Sequence, residues 1–260
     1  MKGLKQIAVT GCILALMSHV QAADVITVPG VTTTGNVTLS TDYRFRGISQ
    51  TSNNPAIQGA INFNHESGTY ASLWASNVSG NSTAEIDGVL GYATKLNLIP
   101  NRDTTLDVGY IRYMYAGSGD SAPGSKQPDY NELFGRLNLA GSVIKEDNLM
   151  VGANYSNDYF NQSDNFWYFS ANYTAPIKDT GFGLVAGVGY NLFKNSRMMN
   201  RALGTASTDD SYIDYKLGTS FGVQGLTTEL AWVDTSLKDS ECVDKKACDG
   251  TVQLSISKTF

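Results

Sequence analysis

From about residue 35 to the C-terminus, apolar and polar residues alternate with a period of two, in segments of about ten residues separated by Gly, Asn, Asp, Ser and Pro. A period of two puts successive side chains on opposite faces of a strand. The last segment is the clearest: Val252, Leu254, Ile256, Lys258 and Phe260 share one face, and Thr251, Gln253, Ser255, Ser257 and Thr259 the other. About twelve such strands are predicted, near 35–46, 56–65, 69–78, 84–94, 104–115, 130–140, 148–157, 165–175, 182–192, 211–222, 225–234 and 250–260. After Ala22 there is no run of about 18 apolar residues, so the chain carries no helical membrane span there.

This alternation suits two architectures. In a sandwich the apolar face meets a second sheet; in a transmembrane barrel it meets lipid, and the polar face lines the interior. The connections favour the barrel, whose turns on one side are short and whose loops on the other are long. Counted from a periplasmic N-terminus, the external connections are 47–55, 79–83, 116–129, 158–164, 193–211 and 235–250. The periplasmic ones are 66–68, 97–103, 141–147, 176–181 and 223–224. Only 79–83 breaks the alternation of short and long. An aromatic C-terminal residue on an amphipathic strand, Phe260, resembles the assembly signal of outer-membrane proteins. The expected fold is therefore all-β: a single transmembrane antiparallel up-and-down β-barrel of about 12 strands. Tyr43, Phe45, Tyr92, Trp167, Tyr173, Tyr190, Tyr215, Trp232 and Phe260 fall near strand ends, as two headgroup girdles would require.

The N-terminus reads as a cleaved signal peptide: Lys2 and Lys5, the apolar stretch from Ile7 to Met17, then Val20-Gln21-Ala22, with cleavage after Ala22. Residues 1–22 are the expected signal peptide, 23–34 a periplasmic lead-in and 35–260 the barrel. Val9-Thr10-Gly11-Cys12 resembles a lipoprotein box but leaves too short an apolar core ahead of Cys12. The mean hydropathy of −0.19 and 17% charged residues look soluble. A barrel spreads its apolar residues thinly, which accounts for this. A formal net charge of −5, before the signal takes two lysines away, argues against a nucleic-acid partner. Cys242 and Cys248 remain after cleavage and could close a loop disulfide in an oxidising compartment; two thiols with no nearby His do not suggest a metal site.

The inward faces supply the candidate chemistry. In the first segment Val37, Leu39, Thr41, Tyr43 and Phe45 alternate with Thr38, Ser40, Asp42, Arg44 and Arg46. By the same parity Glu85, Asp87, Glu132, Arg136, Asp214, Lys216 and Glu229 face inward. The expected lumen-lining set is Asp42, Arg44, Glu85, Asp87, Glu132 and Arg136, charges of both signs that either select solutes or pair with one another and fill the interior. Arg112 falls on the lipid face, unless a bulge intervenes or it lies in the headgroup zone. Catalysis has no candidate base, since His65 sits at a predicted turn. Asp209-Asp210 read as a solvated loop, and Gly183, Gly187 and Gly189 as relief for curvature or close packing. No metal or cofactor is expected.

The stretch from Gly35 to Thr51 (Gly-Asn-Val-Thr-Leu-Ser-Thr-Asp-Tyr-Arg-Phe-Arg-Gly-Ile-Ser-Gln-Thr) resembles the opening of the TorF-like porin family of proteobacteria, also known as a conserved domain of unknown function. Pro55-Ala56-Ile57-Gln58-Gly59, the run Tyr70 to Val78 and Glu85-Ile86-Asp87 are similar to later segments of that family. The resemblance implies an outer-membrane location and a porin role, and brings no substrate or catalytic residue. The expected function is passive diffusion of small hydrophilic solutes. The alternative is a plugged structural or adhesive barrel acting through its long loops. Expected partners are outer-membrane lipid and lipopolysaccharide, the barrel assembly machinery through the C-terminal strand, and small solutes.

Overall fold

A computed structural model describes residues 28–98, 102–117, 127–242 and 244–260. The expected signal peptide, 1–22, lies outside them, as do residues 23–27 of the lead-in. Twelve strands form one closed antiparallel barrel. They are β1 (Val31–Ser40), β4 (Ala56–His65), β5 (Thr69–Asn77), β6 (Ala84–Leu96), β7 (Thr104–Ala116), β8 (Tyr130–Ala140), β9 (Asn148–Ser156), β10 (Phe166–Ile177), β11 (Phe182–Phe193), β12 (Ser211–Val223), β13 (Leu226–Thr235) and β14 (Thr251–Thr259). Between β1 and β4 the chain makes a small hairpin of β2 (Arg44–Phe45) and β3 (Ile48–Ser49). Among the described residues two helices lie in connections: α1 (Ser196–Leu203) after β11 and α2 (Lys245–Cys248) after β13.

Each wall strand pairs with its neighbours in chain order, and β1 closes the ring on β14, from Asn36 opposite Thr259 to Ser40 opposite Ser255. The seam ends where Gly35 and Phe260 exchange backbone hydrogen bonds of 2.8 and 2.9 Å. The period of two fixes which side is which. Along β14, Val252, Leu254 and Ile256 are exposed while Gln253, Ser255 and Ser257 are half-buried toward the interior. Leu39, Ile57, Leu90, Leu133, Leu217 and Val252 are likewise exposed, Leu90 by 63%. An apolar belt of this extent requires an apolar surrounding.

Strand boundaries match the sequence expectation closely, with one exception. The first predicted segment, 35–46, is two things. The wall strand begins at Val31, inside the expected lead-in, and ends at Ser40. The chain then leaves the wall, and Tyr43 and Phe45 become interior residues instead of girdle residues. The alternation runs on unbroken because the β2 strand keeps the period while its direction changes. Tyr92, Trp167, Tyr190, Tyr215 and Trp232 do face outward. Arg112 also faces outward, at the long-loop rim: it donates to Asn131 Oδ1 at 3.1 Å and meets Asp129 at 3.1 Å, with no interruption of the β7–β8 register.

One end of the barrel carries tight turns. The β12–β13 connection is the pair Gln224-Gly225, both with positive φ (51° and 72°), the type I′ geometry that suits strand twist. In the β4–β5 turn Gly68 has φ 94°, and an added Cβ would run into the carbonyl oxygen of Ala93. Gly181, in the β10–β11 turn, has φ 77° with open space around it. Gly68→Ala is therefore expected to lower stability by more than about 1 kcal/mol beyond any effect of Gly181→Ala, read as the urea unfolding midpoint in detergent.

The β8–β9 turn is held by one carboxylate. Asp147 accepts from the backbone N–H groups of Ser142 (2.5 Å), Val143 (2.7 Å) and Ile144 (2.8 Å) and from Tyr173 Oη (2.9 Å). Burial pushes this carboxyl upward, but the backbone donors outweigh it and hold the group well below the usual carboxylate range. A depressed value contributes stability that is complete above the unfolded value of about 4 and is lost as pH falls below it. The stability difference between wild type and Asp147→Asn should be constant at neutral pH and shrink below about pH 4, measured from unfolding midpoints across pH.

Candidate functional site

The interior at the long-loop end is filled. Residues 42–51 fold inward from the rim, and their hairpin turns on Arg46 and Gly47, both with positive φ (51° and 81°). This is again the type I′ geometry, with an arginine at a left-handed position that normally favours Asn or Gly. Gly47 is required by its surroundings: an added Cβ would lie 2.5 Å from Thr235 Cγ2 and 2.9 Å from Asp214 Cβ. The hairpin tip thus presses on β12 and β13, and Tyr212 Oη donates to the Arg46 carbonyl at 3.1 Å.

The Arg46 side chain continues across the interior to the opposite wall. Its guanidinium meets the Glu132 carboxylate through both terminal nitrogens, each 2.8 Å from one oxygen, and donates to Tyr159 Oη at 3.2 Å. Glu132 also accepts from Asn154 Nδ2 at 2.8 Å and Tyr113 Oη at 3.3 Å. Aromatic rings enclose the cation: its carbon lies 4.3 Å from the Tyr168 centroid, 4.6 Å from Phe45, 4.8 Å from Phe166 and 5.6 Å from Tyr159. Around this pair a cluster of buried apolar side chains joins opposite walls. It includes Ile111 and Tyr113 of β7, Tyr130 and Phe134 of β8, Phe166 of β10, Phe193 of β11 and Tyr212 of β12.

Among the described residues, two loops cover the plug. Helix α1 is capped by Asn195, whose side chain accepts from Met198 N, and by Gly204 at φ 64°; it buries Met198, Met199 and Ala202 in the cluster. Cys242 and Cys248 are bonded to each other, and the loop they close lies over the hairpin base. There Arg44 donates to the carbonyl of Asp249 at 2.7 Å, and Asn53 Nδ2 donates to that of Lys246 at 2.8 Å. The two covering loops meet where Ser207 Oγ donates to Glu241 at 2.5 Å. A cavity of about 180 Å³ remains between hairpin, helix and loops, lined in part by Phe45, Gln50, Tyr115, Phe160 and Leu203.

The six expected lumen residues divide among three places. Asp42 and Arg44 depart from the expectation: they belong to no wall strand, because β1 ends at Ser40. They pair with each other at 2.8 Å, and Asp42 also accepts from Ser49 and Thr51, so they fasten the hairpin. Glu85, Asp87 and Glu132 face the occluded half. Glu85 is fully buried and accepts from Tyr43 Oη at 3.3 Å. Arg136 lies deeper, 4.2 Å from the Phe134 ring and 3.9 Å from Asp107. Lys216 and Glu229 pair at 3.0 Å at similar depth. Below the plug the inward positions carry hydroxyls and amides, such as Ser72 donating to Asn62 at 2.7 Å. The ring cage of Tyr159, Phe166 and Tyr168 is not visible in the alternation of the sequence. Arg46 shares the inward parity of Arg44, and the sequence signal for its role is the Arg-Gly pair between Phe45 and Ile48, which reads as a two-residue turn.

These features define a closed twelve-stranded antiparallel barrel, apolar outside, polar inside and occluded from one end by its own chain. Solved porin structures share the fold at low sequence identity. A structure of the NanC porin is 12% identical, with a TM-score of 0.53 over 86% of this chain and 98% of that one. A KdgM porin in complex with disordered oligogalacturonate is 7% identical, with a TM-score of 0.52 over 88% and 99%. No curated protein matches the sequence. The chain belongs to the Gcw_chp family, described as bacterial proteins of unknown function, whose profile matches residues 26–260. That description carries neither the TorF name nor an activity.

Removing one partner of a buried ion pair strands the other, at a cost of about 3–5 kcal/mol, whereas replacing both by apolar groups is close to neutral. Glu132→Ala should therefore lower the unfolding midpoint sharply. The double variant Arg46→Met, Glu132→Leu should recover most of the loss in the same urea titration.

Proposed function

We propose that this chain is an exported, porin-like channel of a Gram-negative outer membrane, for passive diffusion of small hydrophilic solutes, with residues 42–51 acting as an internal plug. The observation that carries the reading is the division of the barrel wall: exposed aliphatic side chains outward, and hydroxyl, amide and paired charged groups inward below the plug. A barrel built only as a support needs no wet lower half. Phe260, at the end of the closing strand, is proposed as the recognition signal for the barrel assembly machinery. Membrane lipid and lipopolysaccharide would contact the outer belt.

The filled upper half favours a second reading, in which the barrel is a permanently sealed platform for its long loops. Planar-bilayer recording separates the two. Protein beginning at Ala23 should be nearly silent, while a variant with residues 42–53 replaced by a short Gly/Ser linker should give discrete ohmic steps. A linker variant that migrates as a folded, heat-modifiable barrel yet conducts nothing would establish the sealed platform.

A further inference from the structure

The pocket that receives Arg46 has the composition of a receptor for an organic cation. Three ring faces of the barrel and its rim, Tyr168, Phe166 and Tyr159, lie 4.3–5.6 Å from the guanidinium carbon, and the Glu132 carboxylate lies 2.8 Å from both terminal nitrogens. Cations are attracted to ring faces, most strongly where water is excluded, and a carboxylate matches the guanidinium fork. Most of this cage belongs to the barrel and its rim: Glu132 comes from β8, Phe166 and Tyr168 from β10, and Tyr159 from the β9–β10 loop. Asn154 of β9 orients the carboxylate from the wall side. Only Arg46 and Phe45 arrive with the hairpin, so the other cage residues stay with the barrel and its rim when the hairpin leaves.

The surrounding acidic side chains point the same way. Glu85, Asp87 and Asp214 face the same half of the interior and have no ion-pair partner among the described residues. Asp214 is held by hydrogen bonds from Asn191 (2.7 Å) and Tyr168 (3.3 Å). Of the four acidic side chains in this half of the interior only Glu132 is ion-paired to the Arg46 guanidinium, and that guanidinium hangs from a turn residue in the left-handed region. Arg46 Nε is buried without a hydrogen-bond partner, so even this occupant does not satisfy its own donors.

We propose that the cage is a recognition site for small organic cations of the guanidinium class. Arg46 occupies it as a tethered stand-in, and a soluble cation that takes its place releases the hairpin and opens the lumen. Opening rests on the channel reading; recognition by the cage does not.

The test uses methylguanidinium, with urea as an uncharged planar control. In folded, detergent-solubilised Arg46→Ala, methylguanidinium should raise the melting temperature with half-saturation in the millimolar range, about tenfold more effectively than urea. Adding Glu132→Gln should abolish the response. Arg46→Met, which keeps the apolar stem, serves as the second variant should the alanine protein not refold. In bilayers, methylguanidinium should increase the open time of wild type and should leave the linker variant's open time unchanged. Absence of any thermal response in both Arg46 variants overturns the cage. A thermal response combined with silence of every variant, the linker variant included, leaves the cage standing and overturns the channel.

Discussion

Closing a sheet of twelve strands creates an interior too wide for the wall's own side chains to fill and too narrow to ignore. Every strand contributes inward residues at alternate positions, so the interior inherits about half of each strand's chemistry. Below the plug that chemistry is polar and compatible with water. Near the long-loop end it is aromatic: Tyr113, Tyr130, Phe166, Phe193 and Tyr212 all point inward. Rings in that position need packing partners, and the wall cannot supply them across the gap. The hairpin, Tyr159 and α1 supply them instead.

Within that packing, one buried cation decides the arrangement. A guanidinium removed from water requires a paired carboxylate and further acceptors or rings. Arg46 finds these only at one depth and in one orientation, because Glu132 is itself fixed by Asn154 and Tyr113. The ion pair therefore sets the register of the plug, while the surrounding rings pack against it. Fastening at the base by Asp42, Arg44 and the disulfide-closed loop constrains the other end of the same segment.

Most of the wall is legible in the sequence because period two and turn residues are local signals. Strands such as β4 and β8 fall on the residues the alternation marks. The plug is hidden for the same reason. Residues 41–46 keep the period while the chain turns inward, and periodicity reveals only which residues share a face, not which sheet they belong to. By that pattern Asp42 and Arg44 look like wall residues. The inward orientation of Glu132 follows from parity, but its partner lies 86 residues away in sequence, a pairing that no local pattern carries.

The plug is rooted beside the seam. Gln253 of β14 donates to the Asp42 carbonyl, and Thr41 N donates to that of Leu254. Its seat is therefore made from the first and last wall strands together and exists only once the two ends of the sheet have met. Sealing the ring thus also completes the root of the stopper, whose tip rests on β8, β12 and β13.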